Sequence, residues 1–207
     1  MPKHKTKPET SKTESLKKKS KMTSKQSETT SQSGGATVGE IEEKYTFFYT
    51  TKSPFSQHHP SNFTVDGVNY VHAEQYMMHQ KAVLFGDGPT ADQILLETDP
   101  KAIKKLGRQV KDFDEQIWKE NRSKIVKKGS YAKFSQNPDL KEQLLSTEGS
   151  ILVEASPRDT IWGIGMGANN PKAKTKKTWR GSNLLGYILT EVRDQLIQES
   201  STKEETK

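Results

Sequence analysis

Hydrophobic and polar positions along the chain predict an alternation of short strands and amphipathic helices that begins near Tyr45. Tyr45-Thr46-Phe47-Phe48-Tyr49 is an aromatic and β-branched run, the composition of a half-buried strand. Residues 50–61 carry Ser, Pro, Gln and His and read as a loop. Residues 63–71 contain Val65-Asp66-Gly67-Val68, the strongest short hairpin signal in the sequence. A helix is predicted over residues 72–85, stopped by Gly86-Asp87-Gly88-Pro89. Thr90 caps a further predicted helix through Leu96. Asp99-Pro100 is a cap and first-turn pair, after which Ile103, Leu106, Val110 and Phe113 recur at helical spacing.

Another helix is predicted over residues 114–127, and Asn137-Pro138 opens the next, with Leu140, Leu144 and Leu145 inward and Gly149 beyond its end. Ile151-Leu152-Val153-Glu154-Ala155 reads as a short buried strand. The last predicted helix starts near Ser182, turns Leu185, Ile188, Val192 and Leu196 inward, and gives way to a polar tail over residues 198–207. With no internal repeat, the pattern describes an α+β chain, a mainly helical single domain with a small β-sheet over residues 45–197.

Composition adds one feature to this picture. Hydrophobic content over the 207 residues is only 30%, low for a compact fold of this length. The deficit is concentrated in residues 1–40, which hold nine Lys, four Glu and no aromatic residue. Such a stretch cannot bury enough apolar surface to offset its ordering entropy, so residues 1–44 are expected to form a disordered Lys/Ser/Thr-rich tail. Nine Lys against four Glu leaves about +5 there, while 24 Lys plus Arg against 22 acids leaves about +2 for the rest. The basic character belongs mainly to the tail, and the folded part is no obvious nucleic-acid binder. A tail of this kind can make weak nucleic-acid contact, or can be a solvated or targeting segment. Lys17-Lys18-Lys19 with Lys21 resembles a nuclear localisation cluster.

The sequence has no cysteine, which removes disulfides, thiolate nucleophiles and Cys-ligated metals together. This suits a reducing cytosol. No apolar run approaches the ~20 residues that span a bilayer, and no membrane partner is expected. The expected location is cytoplasmic or nuclear, and no cofactor is expected.

Three stretches are richer in polar and aromatic groups than packing requires. In residues 70–82, Glu74, Met78 and Lys81 fall at i, i+4 and i+7 on one helix face. Glu74 and Lys81 are then about 10 Å apart along the axis, too far for a tight ion pair but suited to opposite ends of one small ligand. The plainer alternative is an amphipathic helix with a solvated charged edge. In residues 154–167 a buried strand empties into a loop holding an acid, Asp159, with Trp162 and the alternating glycines Gly163, Gly165 and Gly167. Strand ends often carry functional loops, and glycines let a backbone approach a phosphate or ribose. The spacing is not that of a dinucleotide-binding loop, and the alternative is a Gly-rich turn packing its Trp into the core. In Trp179-Arg180-Gly181-Ser182-Asn183-Leu184-Leu185-Gly186 a helix N-terminus offers N–H groups to an anion such as phosphate, or is simply capped by Ser182.

Weaker candidates complete the survey. His58 and His59 are adjacent, so their side chains diverge and read as loop histidines, and no HExxH-type metal spacing occurs. Trp118 and Arg122 lie at i, i+4 and either clamp a ligand or pack a core Trp. No Ser-His-Asp triad is legible, since triads are not local in sequence.

Taken together, Phe55-Ser56-Gln57, His72-Ala73-Glu74-Gln75-Tyr76-Met77-Met78, Ala132-Lys133-Phe134-Ser135-Gln136-Asn137 and Asn183-Leu184-Leu185-Gly186 resemble the NADAR, or YbiA-like, domain family over about 150 residues in the right order. The resemblance implies a YbiA-like fold and an N-glycosidase. One branch of the family cleaves early riboflavin-pathway intermediates of the 5-amino-6-ribosylaminouracil phosphate type, and another removes ADP-ribose from guanine bases. It also implies that Glu74, Trp118, Asp159 and Trp162 occupy functional positions and Lys81 that of a proposed catalytic lysine. Catalytic roles are thus expected of Glu74, Lys81 and Asp159, and substrate contacts of Ser56, Gln57, Trp118, Arg122, Trp162, Gly163 and Asn183. Where the family often carries an aromatic pair after the Ser-Gln, this chain has His58-His59.

Cleaving a C1′–N bond builds oxocarbenium character on the sugar and negative charge on the leaving base. Glu74 and Asp159 suit an acid/base route, whereas Lys81 permits attack on C1′ and a Schiff base of the opened sugar. The expected partner is a phosphorylated ribosyl-base small molecule or ADP-ribosylated guanine. The rival class is a non-catalytic module binding ADP-ribose or a nucleotide, which has no need of Glu74, Asp159 and Lys81 together.

Overall fold

The computed structural model describes residues 43–205, so the expectation of disorder for the N-terminal tail falls almost wholly outside the described residues. Strand β1 covers Tyr45–Phe48 and the hairpin strands are β2, Phe63–Val65, and β3, Val68–Tyr70. Asp66 and Gly67 both sit at positive φ, 51° and 80°, as a two-residue turn matched to the strand twist demands. β2 and β3 are antiparallel and form their own two-stranded sheet.

Helix α1, Ala73–Leu84, is the hub of the helical layer, packing against α2 (Gly88–Leu96), α3 (Pro100–Gly107) and α4 (Glu115–Gln136). Seven consecutive residues from Ala73 to His79 are buried. Glu74 is only 3% exposed, so α1 is not an amphipathic helix with a solvated charged edge. Its start is fixed by His72, whose Nδ1 accepts from the Gln75 backbone N–H, and Gln75 Nε2 in turn donates to the Ile94, Leu95 and Glu97 carbonyls at the end of α2.

Three element boundaries differ from the sequence expectation, each for a local reason. α2 starts one turn early because Asp87, not Thr90, is its cap: Asp87 Oδ1 accepts from Thr90 N–H and Oδ2 from Lys111 N–H. α3 ends at Gly107 rather than continuing through Val110 and Phe113, although Val110 still reaches the core. A Cβ at Gly107 would collide with the Met78 sulfur, so the helix end lies directly on α1. α4 runs on past Lys127 to Gln136, because Gly129 faces the Tyr76 ring too closely for a side chain and packing outweighs propensity.

Helix α5, Pro138–Leu145, leads to strand β4, Ile151–Glu154, which pairs in parallel with β1 in the register Tyr45↔Ile151 to Phe48↔Glu154. In place of the one small sheet expected, the described residues form two separate two-stranded sheets. Helix α6, Leu184–Glu205, closes the chain and packs on β4 and α4. Its Leu185, Ile188, Val192 and Leu196 are all buried. It continues beyond the expected end near residue 197, since Tyr131 Oη donates to Glu199 Oε2 at 2.8 Å and Lys141 Nζ to Ser200 Oγ at 3.2 Å. No described helix is long and apolar enough to cross a membrane.

The far edge of β4 has no strand partner, and α6 supplies the missing groups from side chains. Odd residues of β4 bond toward β1; the even ones point their N–H groups away from it. The Leu152 N–H donates to Thr190 Oγ1 at 3.1 Å, and the Glu154 N–H to Asn183 Oδ1 at 3.0 Å. Asn183 Nδ2 returns a bond to the Leu152 carbonyl at 2.9 Å. Gly186 lets the helix backbone lie on that same carbonyl, where a Cβ would collide.

Asn183→Ala therefore strands two buried backbone groups, each worth about 1–3 kcal/mol. It should lower the melting temperature by roughly 4–24 °C on the usual scaling for a domain of this size. Ser182→Ala, at an exposed residue whose hydroxyl makes no hydrogen bond among the described residues, should shift it by less than ~2 °C. Thermal unfolding followed by circular dichroism reads both; a larger loss for Ser182→Ala would restore Ser182 as the cap.

Candidate active site

Five segments distant in sequence converge on one cavity of about 520 Å³, within the range of small-molecule sites. The loop after β1 contributes Tyr49, Thr50, Thr51, Ser56, Gln57 and His58; α1 contributes Glu74, Met77, Met78 and Lys81. The end of α3 adds Lys104, Gly107 and Arg108, and the end of β4 with its following loop adds Glu154, Ser156, Asp159 and Trp162, with Leu185 of α6 beneath.

Glu74 sits in the first turn of α1, where the positive helix end favours a carboxylate, and its backbone N–H donates to the Gln57 carbonyl at 2.9 Å. Its Oε2 is 3.4 Å from His58 Nε2, while Oε1 is buried without a hydrogen-bond partner among the described residues. A fixed, buried acceptor with an unused oxygen at a cavity wall is a group left ready for a ligand.

Lys81 lies two helical turns further along α1. Its Nζ donates to the Gly107 carbonyl at 2.7 Å and stands 4.0 Å from the Phe113 ring centroid and 5.8 Å from that of Trp118. Burial lowers its pKa from the ordinary lysine value, only partly offset by Glu115. A half-buried amine among rings and one carbonyl has more neutral, nucleophilic form at neutral pH than a surface lysine.

The loop after β4 is shaped by Asp159, whose Oδ1 accepts from the Ile161 and Trp162 N–H groups at 2.9 and 2.7 Å. This turn aims the Trp162 ring at the cavity and leaves Oδ2 free of hydrogen bonds among the described residues. Glu154, the last residue of β4, is held by its backbone on both sides. Burial and then the charge of Asp159 push its carboxyl up to about 8, against the pull of Lys104.

A buried lysine holds the loop that carries Ser56, Gln57 and His58. Lys133 on α4, 2% exposed, donates from Nζ to the Pro54 carbonyl at 2.6 Å and the Ser56 carbonyl at 2.9 Å. Burial without a counter-charge pushes its amine down to about 7. His59 adds a second tie, Nδ1 to the Thr51 carbonyl at 2.9 Å.

Of the residues singled out from sequence, the structure brings Ser56, Gln57, Glu74, Lys81, Asp159 and Trp162 together on the cavity, and leaves four outside its wall. Trp118 is buried in the core behind Lys81, and the Arg122 guanidinium lies 5.8 Å from the Trp162 ring, with Nε buried and unpaired. Gly163 packs on the Glu154 backbone, and Asn183 is committed to β4. The α6 N-terminus offers no anion site. Its N–H groups from Ser182 to Leu185 donate to the carbonyls of Thr160, Gly163, Ile161 and Trp162 in turn.

Residues the sequence reading undervalued are His58, Glu154, Lys104, Arg108 and Lys133. Lys133 had a signal, since it falls at core spacing with Val126, Gly129 and Ser130, where a charge needs an internal partner. Lys104 and Arg108 had none, because their helix face carries no mark of what it will meet. Among the described residues no group of three or more His, Cys, Asp or Glu side chains is placed to hold a metal ion.

Comparison with known proteins gives the family. The family model "NADAR domain" matches residues 46–197. The chain is 42% identical over 164 residues to N-glycosidase R617 of Acanthamoeba polyphaga mimivirus, covering 74% of this chain and 96% of that protein. It is 36% identical over 98 residues to the chloroplastic riboflavin biosynthesis protein PYRR of Arabidopsis thaliana, but covers only 14% of that protein. The NMR structure of Escherichia coli YbiA superposes with a TM-score of 0.63 at 28% identity, over 78% of this chain and 92% of that one. A family match over most of the described fold, a viral N-glycosidase matched along nearly its whole length and a solved structure of the same architecture lead to one conclusion: this chain belongs to the NADAR domain family and is an N-glycosidase.

Proposed function

We propose that the enzyme hydrolyses the C1′–N bond between a base and a phosphorylated ribose, with a small ribosylaminopyrimidine phosphate of the riboflavin-intermediate type as substrate. The observation that carries this reading is the meeting of Glu74, Lys81, Asp159 and Trp162 on one cavity. Its volume suits a monomeric substrate, and the match to a riboflavin biosynthesis protein supports the same class.

In this reading the flat base stacks on Trp162, an interaction worth about 1–3 kcal/mol. Lys104 and Arg108, cations of the cavity wall on α3, receive the phosphate, a role the closed α6 N-terminus does not offer. Glu74 holds its unpaired oxygen near C1′ and steadies the developing oxocarbenium ion. Asp159 uses one oxygen to shape its loop and keeps the other to orient the attacking water. Lys81 offers a second route, in which its neutral amine attacks C1′, the base departs, and water later releases the opened sugar from the Schiff base.

Glu74→Gln should reduce kcat at least ~100-fold with little change in KM, because the lost charge matters mainly at the transition state. Steady-state kinetics reads this, and near-wild-type turnover would remove Glu74 from the reaction. Borohydride added during turnover should leave a sugar adduct on Lys81, located by peptide mass spectrometry, only if the covalent route operates. Absence of adduct in an active enzyme selects the direct attack of water. Offered a ribosylaminopyrimidine phosphate and an ADP-ribosylated guanine oligonucleotide in parallel, the enzyme should release the pyrimidine and not free guanine-containing product. Release from the oligonucleotide alone would overturn the substrate assignment, and release from neither would favour a binding module.

A further inference from the structure

Neither Glu74 nor Asp159 accounts for the proton that the leaving base needs. Glu74 presents an open acceptor oxygen, and Asp159 spends one oxygen as the acceptor of its own loop. A third carboxyl lines the same cavity at the end of β4. The backbone of Glu154 is fixed by the Asn183 bond to its N–H and the Ile164 N–H bond to its carbonyl, so its side chain leaves the strand end in one direction. Gly163 sits against its Cγ, where a Cβ would lie 3.0 Å away, and keeps that direction open. No described residue gives its carboxyl a hydrogen bond or an ion pair. The charged and titratable groups lining the cavity with it are Asp159 on the following loop, Lys104 on α3 and Arg108 just after it, Glu74 and Lys81 on α1, and Tyr49 and His58 on the loop after β1.

We infer that Glu154 is the general acid that protonates the departing base. This deepens, and rests on, the N-glycosidase reading given above. As the C1′–N bond breaks, its electron pair passes to the nitrogen, which takes the Glu154 proton. Water, or first the Lys81 amine, bonds to C1′, and the proton lost by that nucleophile restores the acid. The ordinary carboxylate range would leave such a group ionised and useless as a donor at neutral pH; burial and the neighbouring Asp159 charge keep it protonated up to about pH 8.

Two substrates separate this role from a structural one. A ribosylaminopyrimidine phosphate has a basic leaving group that needs a proton. 4-Nitrophenyl riboside 5-phosphate expels a stable anion that does not. Glu154→Gln should lose at least ~100-fold in kcat on the first and no more than several-fold on the second. In the wild-type enzyme kcat on the first substrate should fall above about pH 8, as the acid loses its proton, with no such fall on the second. The isosteric Glu154→Met should show the same split. Both variants should melt no lower than wild type at pH 8.5, since they remove a carboxyl whose raised pKa makes the native state lose stability as pH rises between about 4.5 and about 8. Equal loss on both substrates, or full activity of Glu154→Gln on the first, overturns the assignment. A wild-type enzyme inactive on both overturns the substrate reading itself and the acid with it.

Discussion

The whole site hangs on the way a two-stranded sheet ends against a helix. Strand β4 has a strand on one edge only, and in a buried position its other row of N–H and C=O groups must be satisfied. Asn183 and Thr190 of α6 do this from side chains. Asn183 adopts a φ of 51°, a conformation Asn tolerates better than most residues. That single junction fixes where β4 stops, and hence where Glu154 points. It also closes the helix N-terminus with the carbonyls of the very loop that carries Trp162, so strand, loop and helix are one rigid unit.

Around that unit the protein holds charge in unusual company. Glu74 and Lys133 are buried and Lys81 and Glu154 partly so, and among the described residues none has a close ion pair with an oppositely charged carboxylate or ammonium group. Lys133 and Lys81 rest on backbone carbonyls, and Glu74 has a histidine beside one oxygen and nothing on the other. Such arrangements cost stability, because desolvation is only partly compensated. They are what a reaction centre needs: a lysine with neutral amine available, a carboxyl still protonated near neutral pH, and an acceptor with no prior engagement.

Local signals made most of the architecture legible. Asp66-Gly67 specified its turn, Asp99-Pro100 and Asp114 marked helix starts, and the apolar spacing of α6 predicted its buried face. Errors arose where a tertiary contact outweighed the local rule. The helix expected over residues 114–127 runs on through Gly129, which lets the Tyr76 ring pack against it, and α3 stops at Gly107, where Met78 occupies the space a side chain would need. Asp87 displaced Thr90 as a cap because it also serves Lys111 across a turn.

The sequence by itself determined the order of elements, the spacing that puts Glu74, Met78 and Lys81 on one helix face, and the family through motifs spread along the chain. Those follow from residue periodicity and local hydrogen bonding, which act within a few positions. Only the tertiary structure decided that Asn183 and Gly163 serve β4, that Trp118 and Arg122 stand behind the cavity wall, and that His58, Lys104, Arg108 and Glu154 belong to it. These are questions of which surfaces meet and how much water is left between them. A carboxylate at the end of an apolar strand looks the same in sequence whether it faces solvent or the wall of a cavity. The burial that changes its chemistry comes from residues far away along the chain.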